Sequence, residues 1–287
     1  MVYLSVKATA QSPADSLRAV TTDVLLYTIT SEEKENYRKL PEKSLRLLLT
    51  RESGADAWKL PGGFVAQGER LANAALRTLR GAAEIPSPYL EQLYTWSGEA
   101  GGPAGCGGEG SSVDCSYLAL SEPSAVRFRR GAAAERAWFS VSCRLYKEHR
   151  SITENGFVLK QFYRLLLRFE QEELSAEVEL IRSVSGKSLQ VERAVGQTKG
   201  LTPAQALRIQ YSIERMRSKI EYTDIAFHLL PDLFTLTELQ QVFETILGTT
   251  LLKANFRRKI ADMVIETDRF AKEAGHRPSR LYRFNPK

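Results

Sequence analysis

The segment from Gly62 to Glu84, GGFVAQGERLANAALRTLRGAAE, constrains the fold more than any other part of the sequence. Two consecutive glycines and a second turn at Gly68 precede an amphipathic stretch. Its apolar positions lie at helical spacing: Leu71, Ala75, Leu79 and Ala82. Strand-like runs at 17–27 and 44–52 come before the turn. A glycine turn that enters a helix lets the backbone approach a phosphorylated ligand. The order strand, strand, turn, helix therefore predicts an α/β unit with a phosphate site.

The same helix lacks the acids that a metal-dependent phosphate site requires. No Asp or Glu occurs between Arg70 and Ala83. Mg²⁺ is held by hard oxygen ligands and bridges them to phosphate, so a helix beside a pyrophosphate ordinarily supplies carboxylates. The sequence thus predicts a phosphate-site helix that holds no metal ion.

The net charge of the chain lies entirely at its C-terminal end. Residues 249–287 contain ten Lys or Arg and four Asp or Glu, which accounts for the whole net charge of +6. Such segregation predicts a local surface for a polyanion. A basic tail that is merely solvated is the alternative at this point.

Composition narrows the class of protein. A chain of 287 residues with 43% hydrophobic residues is long enough for about two domains of ~100 to 200 residues each. We find no run of ~18 apolar residues and no secretory leader, so we expect a cytoplasmic protein without a membrane span. The three cysteines, Cys106, Cys115 and Cys143, lack CxxC spacing and do not predict a zinc site.

The middle of the chain is rich in strand-like runs, at 157–169, 176–184 and 188–195. These runs predict an antiparallel meander attached to the first domain. Residues 97–112 contain seven glycines and predict a flexible segment that packs no core. Near Gly200 the pattern changes from strand alternation to helical periodicity.

This change divides the chain into an N-terminal domain, residues 1–200, and a C-terminal domain, residues 201–287. Three helices are predicted in the second domain. The first has an apolar face formed by Ile209, Ile213, Met216 and Ile220. The second begins with a capping box, Thr235 with Glu238, and ends at Gly248. The third spans about 252–265, and two strand-like pieces follow it. Three helices and two strands in this order predict a winged helix-turn-helix domain.

The third helix is the candidate recognition helix. Its apolar residues include Phe256 and Ile260, so Asn255 and Arg258 point away from the core and are the candidate base-reading residues. Neighbouring cations are the candidate phosphate contacts: Lys253, Arg257, Lys259, Arg277 and Arg280. A wing that contacts another protein, or simple solvation, is the alternative. Charge, capping and element order agree, so we predict binding to double-stranded DNA.

The opening segment resembles the Nudix box, which reads Gly, five residues, Glu, seven residues, then Arg-Glu-hydrophobic-x-Glu-Glu-x-Gly-hydrophobic. Gly63, Glu69, Arg77, Leu79 and Ile85 match, and the preceding WKLPGG is typical of the same family. The three metal-binding glutamates of the box do not match. Thr78, Gly81 and Ala82 take their places, and Glu84 takes that of the box glycine. The resemblance therefore implies a Nudix fold without catalysis and without a required cofactor.

A degenerate Nudix domain followed by a winged helix is similar to the Nudix-related transcriptional regulators of bacteria, which include repressors of NAD metabolism that sense ADP-ribose. The segments at 217–248, 251–263 and 275–286 resemble the DNA-binding half of that family. The resemblance implies an α+β fold: an N-terminal α/β/α sandwich with a β-rich insertion at 144–199, then the winged helix. It also implies ADP-ribose or a related nucleotide sugar as effector, and a homodimer on a palindromic operator.

We expect the effector to contact residues at and before the box. Arg51 is the candidate for phosphate, Trp58 or Phe64 for stacking, and the backbone of Gly62 and Gly63 with Arg77 for the diphosphate. Both aromatic residues have a role in the core as the alternative.

Two other functions remain open at this point. In the first, the chain is an active Nudix hydrolase with an accessory DNA-binding tail. That function requires a substitute base, for which the nearby acids are Glu69, Glu84, Glu91 and Glu109. In the second, the chain is a regulator that responds to a sugar unrelated to NAD.

Overall fold

The computed structural model describes residues 19–32, 42–97, 112–128, 134–271 and 278–286. Nine strands in these ranges form one sheet: β1 (Ala19–Glu32), β2 (Glu42–Glu52), β3 (Gly62–Phe64), β4 (Tyr89–Ser97), β5 (Ser112–Leu120), β6 (Ala134–Thr153), β7 (Gly156–Phe169), β8 (Glu172–Ser185) and β9 (Ser188–Lys199). Their order is β4-β5-β1-β2-β6-β7-β8-β9, and β3 pairs with the beginning of β1. Strands β1 and β5 are parallel, and all other neighbours are antiparallel.

The predicted meander belongs to this sheet and extends it. β7, β8 and β9 correspond to the three strand-like runs in the middle of the sequence, and β6 precedes them as an additional strand of 20 residues. The outer half of β6 is exposed on both faces, so it lacks the alternation by which a half-buried strand is recognised.

Two helices cover opposite faces of the sheet. Helix α1 (Leu71–Ala82) packs through Ala74, Ala75, Leu79 and Ala82 on the face that contains Val24 and Leu26. Helix α2 (Pro203–Lys219) packs on the other face, where Leu25 and Tyr27 lie. These neighbours alternate along β1, because successive side chains of a strand point to opposite faces. The arrangement is an α/β/α sandwich, as the resemblance implied.

Helix α2 begins where the sequence predicts it. Thr202 and Gln205 form a reciprocal capping box, and Pro203 occupies the first turn. Its apolar face, Ile209, Ile213 and Met216, is buried. The change of pattern near Gly200 assigns this helix to the C-terminal domain, whereas its apolar face joins the core of the sheet as well as that of the C-terminal helices. The boundary at residue 200 stays a prediction.

The C-terminal part has the predicted helices and wing, but the third helix, predicted over about 252–265, ends earlier, because strand pairing begins at Val264. Helix α3 (Leu236–Leu247) begins at the capping box of Thr235 and Glu238 and ends at Gly248, whose φ of 73° is left-handed. A 3₁₀ turn (Ile225–Leu229) precedes it, and helix α4 (Lys253–Ile260) follows it. Strands β10 (Val264–Phe270) and β11 (Arg280–Phe284) form a two-stranded antiparallel sheet. Phe243 of α3 and Phe256 of α4 pack edge to face at 5.2 Å.

Candidate functional site

The glycine turn packs tightly on the start of β1. Gly62 pairs with Asp23 and Gly63 with Thr22. A Cβ atom at Gly62 would lie 3.2 Å from the Thr22 carbonyl oxygen, closer than ordinary contact, so the turn has little room for a side chain there. Phe64 follows with 57% of its surface exposed. The turn therefore presents a backbone and one aromatic side chain at the surface.

Two residues of the Nudix box hold this turn together. Arg77 donates to Glu69 at 2.8 Å and to the Phe64 carbonyl at 2.8 Å. Glu69 also accepts from the Ala66 backbone N–H at 2.9 Å. The hydrogen bonds from Arg77, then that from Ala66, lower the pKa of Glu69 to about 2. Arg77, predicted to lie near a diphosphate, thus supports the turn in this conformation.

The three residues at the positions of the metal-binding glutamates, Thr78, Gly81 and Ala82, have no carboxylate. The Thr78 hydroxyl lies 3.7 Å from where a Cβ of Gly63 would be. The Gly81 carbonyl accepts a hydrogen bond of 3.0 Å from Arg136 of β6. Ala82 is buried against the sheet. A guanidinium therefore lies at the end of α1 where the box would place acids.

Metal ligands do not gather elsewhere in the parts of the chain that the structure covers. Over the five described ranges, no three His, Cys, Asp or Glu side chains are grouped as a metal site requires. Two of the proposed substitute bases have cationic partners, since Glu69 pairs with Arg77 and Glu91 contacts Lys219. Glu109 lies outside the described residues.

Arg51 and Trp58 form a separate cluster on the side of the sheet that carries α2. The Arg51 guanidinium stacks over the Trp58 ring at 4.4 Å and pairs with Glu135 at 2.6 Å and Glu172 at 3.0 Å. Trp58 is 3% exposed, packs edge to face on Phe139 at 5.1 Å, and donates its indole N–H to Glu172. In this conformation Trp58 offers no face to a ligand. Its stacking role and the phosphate role of Arg51 stay predictions.

The structure contains a buried charged cluster beneath the glycine turn, which the sequence did not predict. Asp23 and Asp114 are 6% and 1% exposed and lie on the paired strands β1 and β5. Arg208 of α2 contacts Asp23 and donates to Asp114 at 3.0 Å. Burial raises the pKa of Asp23, although Arg208 acts in the opposite direction. The signal that could have predicted this cluster is the pair of acids in otherwise apolar strand sequences, TTDVLLY and VDCSYLAL.

At its other end α2 contacts the C-terminal helices. Arg217 donates from Nη2 to the Cys143 carbonyl of β6 at 2.8 Å, and from Nε to the Ile246 carbonyl of α3 at 2.9 Å. A cation near the last carbonyls of a helix also stabilises its dipole. One helix thus contacts the acids beneath the glycine turn and the end of α3.

Helix α4 presents its polar residues to solvent. Phe256 and Ile260 are buried. The candidate DNA contacts on this helix are all exposed: Lys253, Asn255, Arg257, Arg258 and Lys259. Arg258 donates to the Asn255 amide oxygen at 3.1 Å, so the two candidate base-reading side chains lie side by side.

Of the two remaining candidate contacts, Arg277 and Arg280, the structure describes Arg280. Arg280 on β11 pairs with Glu266 of β10 and stacks over Phe270 at 5.2 Å. Lys259 of α4 has an acidic partner as well, Glu221 at 3.6 Å. Arg277 lies outside the described residues.

Comparison with known proteins identifies the class to which these features belong. Residues 226–284 match the family model described as the NrtR DNA-binding winged helix domain. The structure of Shewanella oneidensis NrtR complexed with a 27mer DNA superposes with a TM-score of 0.57 at 23% identity, covering 93% of each chain. A MutT/nudix family protein from Enterococcus faecalis gives a TM-score of 0.61 at 21% identity, covering 96% of this chain and 90% of that one. The class is therefore a Nudix fold joined to a DNA-binding winged helix.

A curated relative identifies the family within this class. The ADPR responsive transcriptional repressor NtrR of Acinetobacter baylyi is 30% identical over 233 residues, which span 79% of this chain and 69% of the relative. The chain belongs to this family, the NrtR transcriptional repressors, and the resemblance stated from the sequence is confirmed. Among the described helices, none is long and apolar enough to cross a membrane.

Proposed function

We propose that this protein is a cytoplasmic transcriptional repressor whose DNA affinity is controlled by ADP-ribose or a related nucleotide sugar, which it binds without hydrolysing. The relative from Acinetobacter is an ADPR-responsive repressor, and the similarity spans 79% of this chain. Homology does not explain how the effector would change DNA affinity. Such regulation requires a free energy of interaction between the effector site and the DNA-binding site.

The observation that carries the proposal is the double contact of helix α2. Arg208 contacts the buried acids Asp23 and Asp114 directly beneath the glycine turn, and Arg217 contacts the Ile246 carbonyl at the end of α3. A ligand that displaces the turn would move Asp23, since Gly62 pairs with it in the sheet. Because Arg217 of α2 contacts α3, the displacement would be transmitted to α3, the helix that precedes α4.

The absence of hydrolysis is supported by the composition of α1. A Nudix hydrolase uses its box acids to hold the metal ion that activates water, and here Thr78, Gly81 and Ala82 occupy those positions. The guanidinium of Arg136 at the Gly81 carbonyl would repel a divalent cation. An effector that is not degraded can report its own concentration.

We place the effector at the exposed side of the glycine turn. The Gly62 and Gly63 backbone would approach the diphosphate, Phe64 would stack on a planar group, and Arg77 would exchange Glu69 for a phosphate oxygen. Arg51 and Trp58 would join this site only if the pairs with Glu135 and Glu172 opened.

On DNA, α4 would enter the major groove. Asn255 and Arg258 would read base edges, and phosphates would be bound by Lys253, Arg257, Lys259, Arg277 and Arg280. Two copies of the protein on a palindromic operator would place two such helices about one turn of DNA apart. We therefore propose a homodimer on DNA.

Three measurements on purified protein test this proposal. The first is binding to a duplex from the protein's own upstream region with and without ADP-ribose, where we expect the dissociation constant to change by about 5- to 150-fold. The second is incubation with ADP-ribose and Mg²⁺, where we expect no AMP. Steady release of AMP would favour a hydrolase. A thermal shift with free sugars but not with ADP-ribose would favour a regulator unrelated to NAD.

A further inference from the structure

A cavity of about 270 Å³, lined mainly by residues with polar or charged side chains, lies between α2 and strands β6 to β8. Tyr163 and Arg182 contribute to its wall from the sheet. From α2 come Gln210, Glu214, Arg217 and Ser218. The cavity is distinct from the glycine turn, because no residue of the turn and none of the charged cluster beneath it lines the cavity. Its wall residues Glu214 and Arg217 lie six and nine residues beyond Arg208, about 9 and 13.5 Å along the helix. Its size suits a small metabolite or inorganic ion and is below that of a typical nucleotide pocket.

The charges around this cavity leave an excess of positive charge. Glu214 is its acidic wall residue, and two arginines already pair with it, Arg182 at 2.6 Å and Arg193 at 2.8 Å. Arg217 donates to two main-chain carbonyls, and within the described ranges it has no carboxylate partner. Three guanidinium groups therefore face one carboxylate. An anion in the cavity would complete the charge balance.

The wall also contains an acceptor without a donor. Gln210 is 2% exposed, and its Oε1 has no hydrogen-bond partner among the described residues. Its Nε2 donates a long bond of 3.4 Å to Glu214. A buried acceptor left unpaired destabilises the folded state, and the terminal torsion of a glutamine turns easily. A ligand with an O–H group could donate to this oxygen.

We propose that this cavity is a second ligand site, which binds a small oxyanion that also carries a hydroxyl group, as hydrogen phosphate and simple phosphate monoesters with free hydroxyls do. Arg217 and Arg182 bind the oxyanion, and Gln210 accepts a hydrogen bond from the hydroxyl. The occupant lies beside the contact between Arg217 and the Ile246 carbonyl of α3. The site is independent of the ADP-ribose pocket and exists whether or not that effector binds.

Calorimetric titration of the full chain with phosphate and with sulfate tests the site. The two ions are similar in size and charge, but only phosphate carries an O–H group at neutral pH. We expect saturable binding of about one phosphate per chain and at least about tenfold weaker binding of sulfate. Glycerol 3-phosphate, an organic phosphate with hydroxyls, should compete with phosphate.

Two variants locate the binding. Ser218 is exposed at the cavity, so Ser218→Trp should fill the space and weaken phosphate binding at least about tenfold, whereas the control Ser218→Ala should not. Gln210→Met should remove the preference for phosphate over sulfate and leave the melting temperature unchanged or raised. The proposal is overturned if neither ion binds saturably in the millimolar range, or if Ser218→Trp binds phosphate as the unsubstituted chain does. ADP-ribose titrated into the same variants measures the first site separately.

Discussion

The charged groups of the sandwich and those of helix α4 are arranged in opposite ways. Within the sandwich, arginines meet acids: Arg77 with Glu69, Arg208 with Asp23 and Asp114. On α4 the cations face solvent. Among the described residues of that helix, only Lys259 forms an ion pair with an acid, Glu221. Compensated charges hold a fold together, whereas uncompensated cations on one face are available to a polyanion. The contrast predicts that substitutions in the two regions change different properties.

The largest effect is expected from Arg208→Met, which leaves Asp23 and Asp114 buried without their guanidinium. Breaking a buried ion pair by removing one partner costs about 3–5 kcal/mol. Denaturant unfolding should show a loss of this size in the free energy of unfolding. Arg215→Met, at an exposed arginine of the same helix with a 3.8 Å ion pair to Glu91, is the control and should change it by no more than about 1 kcal/mol. Equal, small losses in both variants would contradict the structural role of the buried cluster.

Arg258→Ala should show the reverse behaviour. Its side chain is exposed, so we expect stability to change by no more than about 0.5 kcal/mol. Loss of a base contact should weaken specific binding by about 1–3 kcal/mol, and non-specific binding much less. Lys253→Ala on the same helix is the matched control, since a lost phosphate contact weakens both kinds of binding alike. If Arg258→Ala also weakened specific and non-specific DNA binding equally, measured at one salt concentration, Arg258 would not read bases.

The smallest effect concerns pH and the ion pair of the turn. The pKa of Glu69 is about 2 in the folded protein against an ordinary 4.5, so its charged form stabilises the fold above pH 4.5. That stabilisation is lost as the pH falls from about 4.5 towards 2. Glu69→Gln should therefore melt below the unsubstituted protein at pH 7, with a difference that shrinks at pH 3. A difference independent of pH would mean that charge is not the cause.

The sequence predicted those elements whose signals are local. The capping box of Thr235 and Glu238, the stop at Gly248 and the apolar face of α1 all lie within a few residues of one another. The structure confirms each of them. The exposed face of α4 also follows from its own spacing, because Phe256 and Ile260 fix which side is buried.

What the sequence did not predict depends on residues far apart in the chain. Asp23, Asp114 and Arg208 come together because β1 and β5 are parallel neighbours and α2 returns across the sheet. The apolar face of α2 was recognised, but periodicity does not identify the partner on which a face packs. Trp58 shows the same limit, since an aromatic residue before a glycine turn is compatible with either a ligand or the core.

The most direct test of the account is the effect of ADP-ribose on DNA affinity in a variant that cuts the contact between α2 and α3. Fluorescence anisotropy would give the dissociation constant for operator DNA with and without ADP-ribose. We predict a ratio of about 5 to 150 in the unsubstituted protein, a similar ratio in the control Arg215→Gln, and a ratio near 1 in Arg217→Gln. Folded Arg217→Gln protein that binds ADP-ribose and keeps the full ratio would contradict coupling through helix α2.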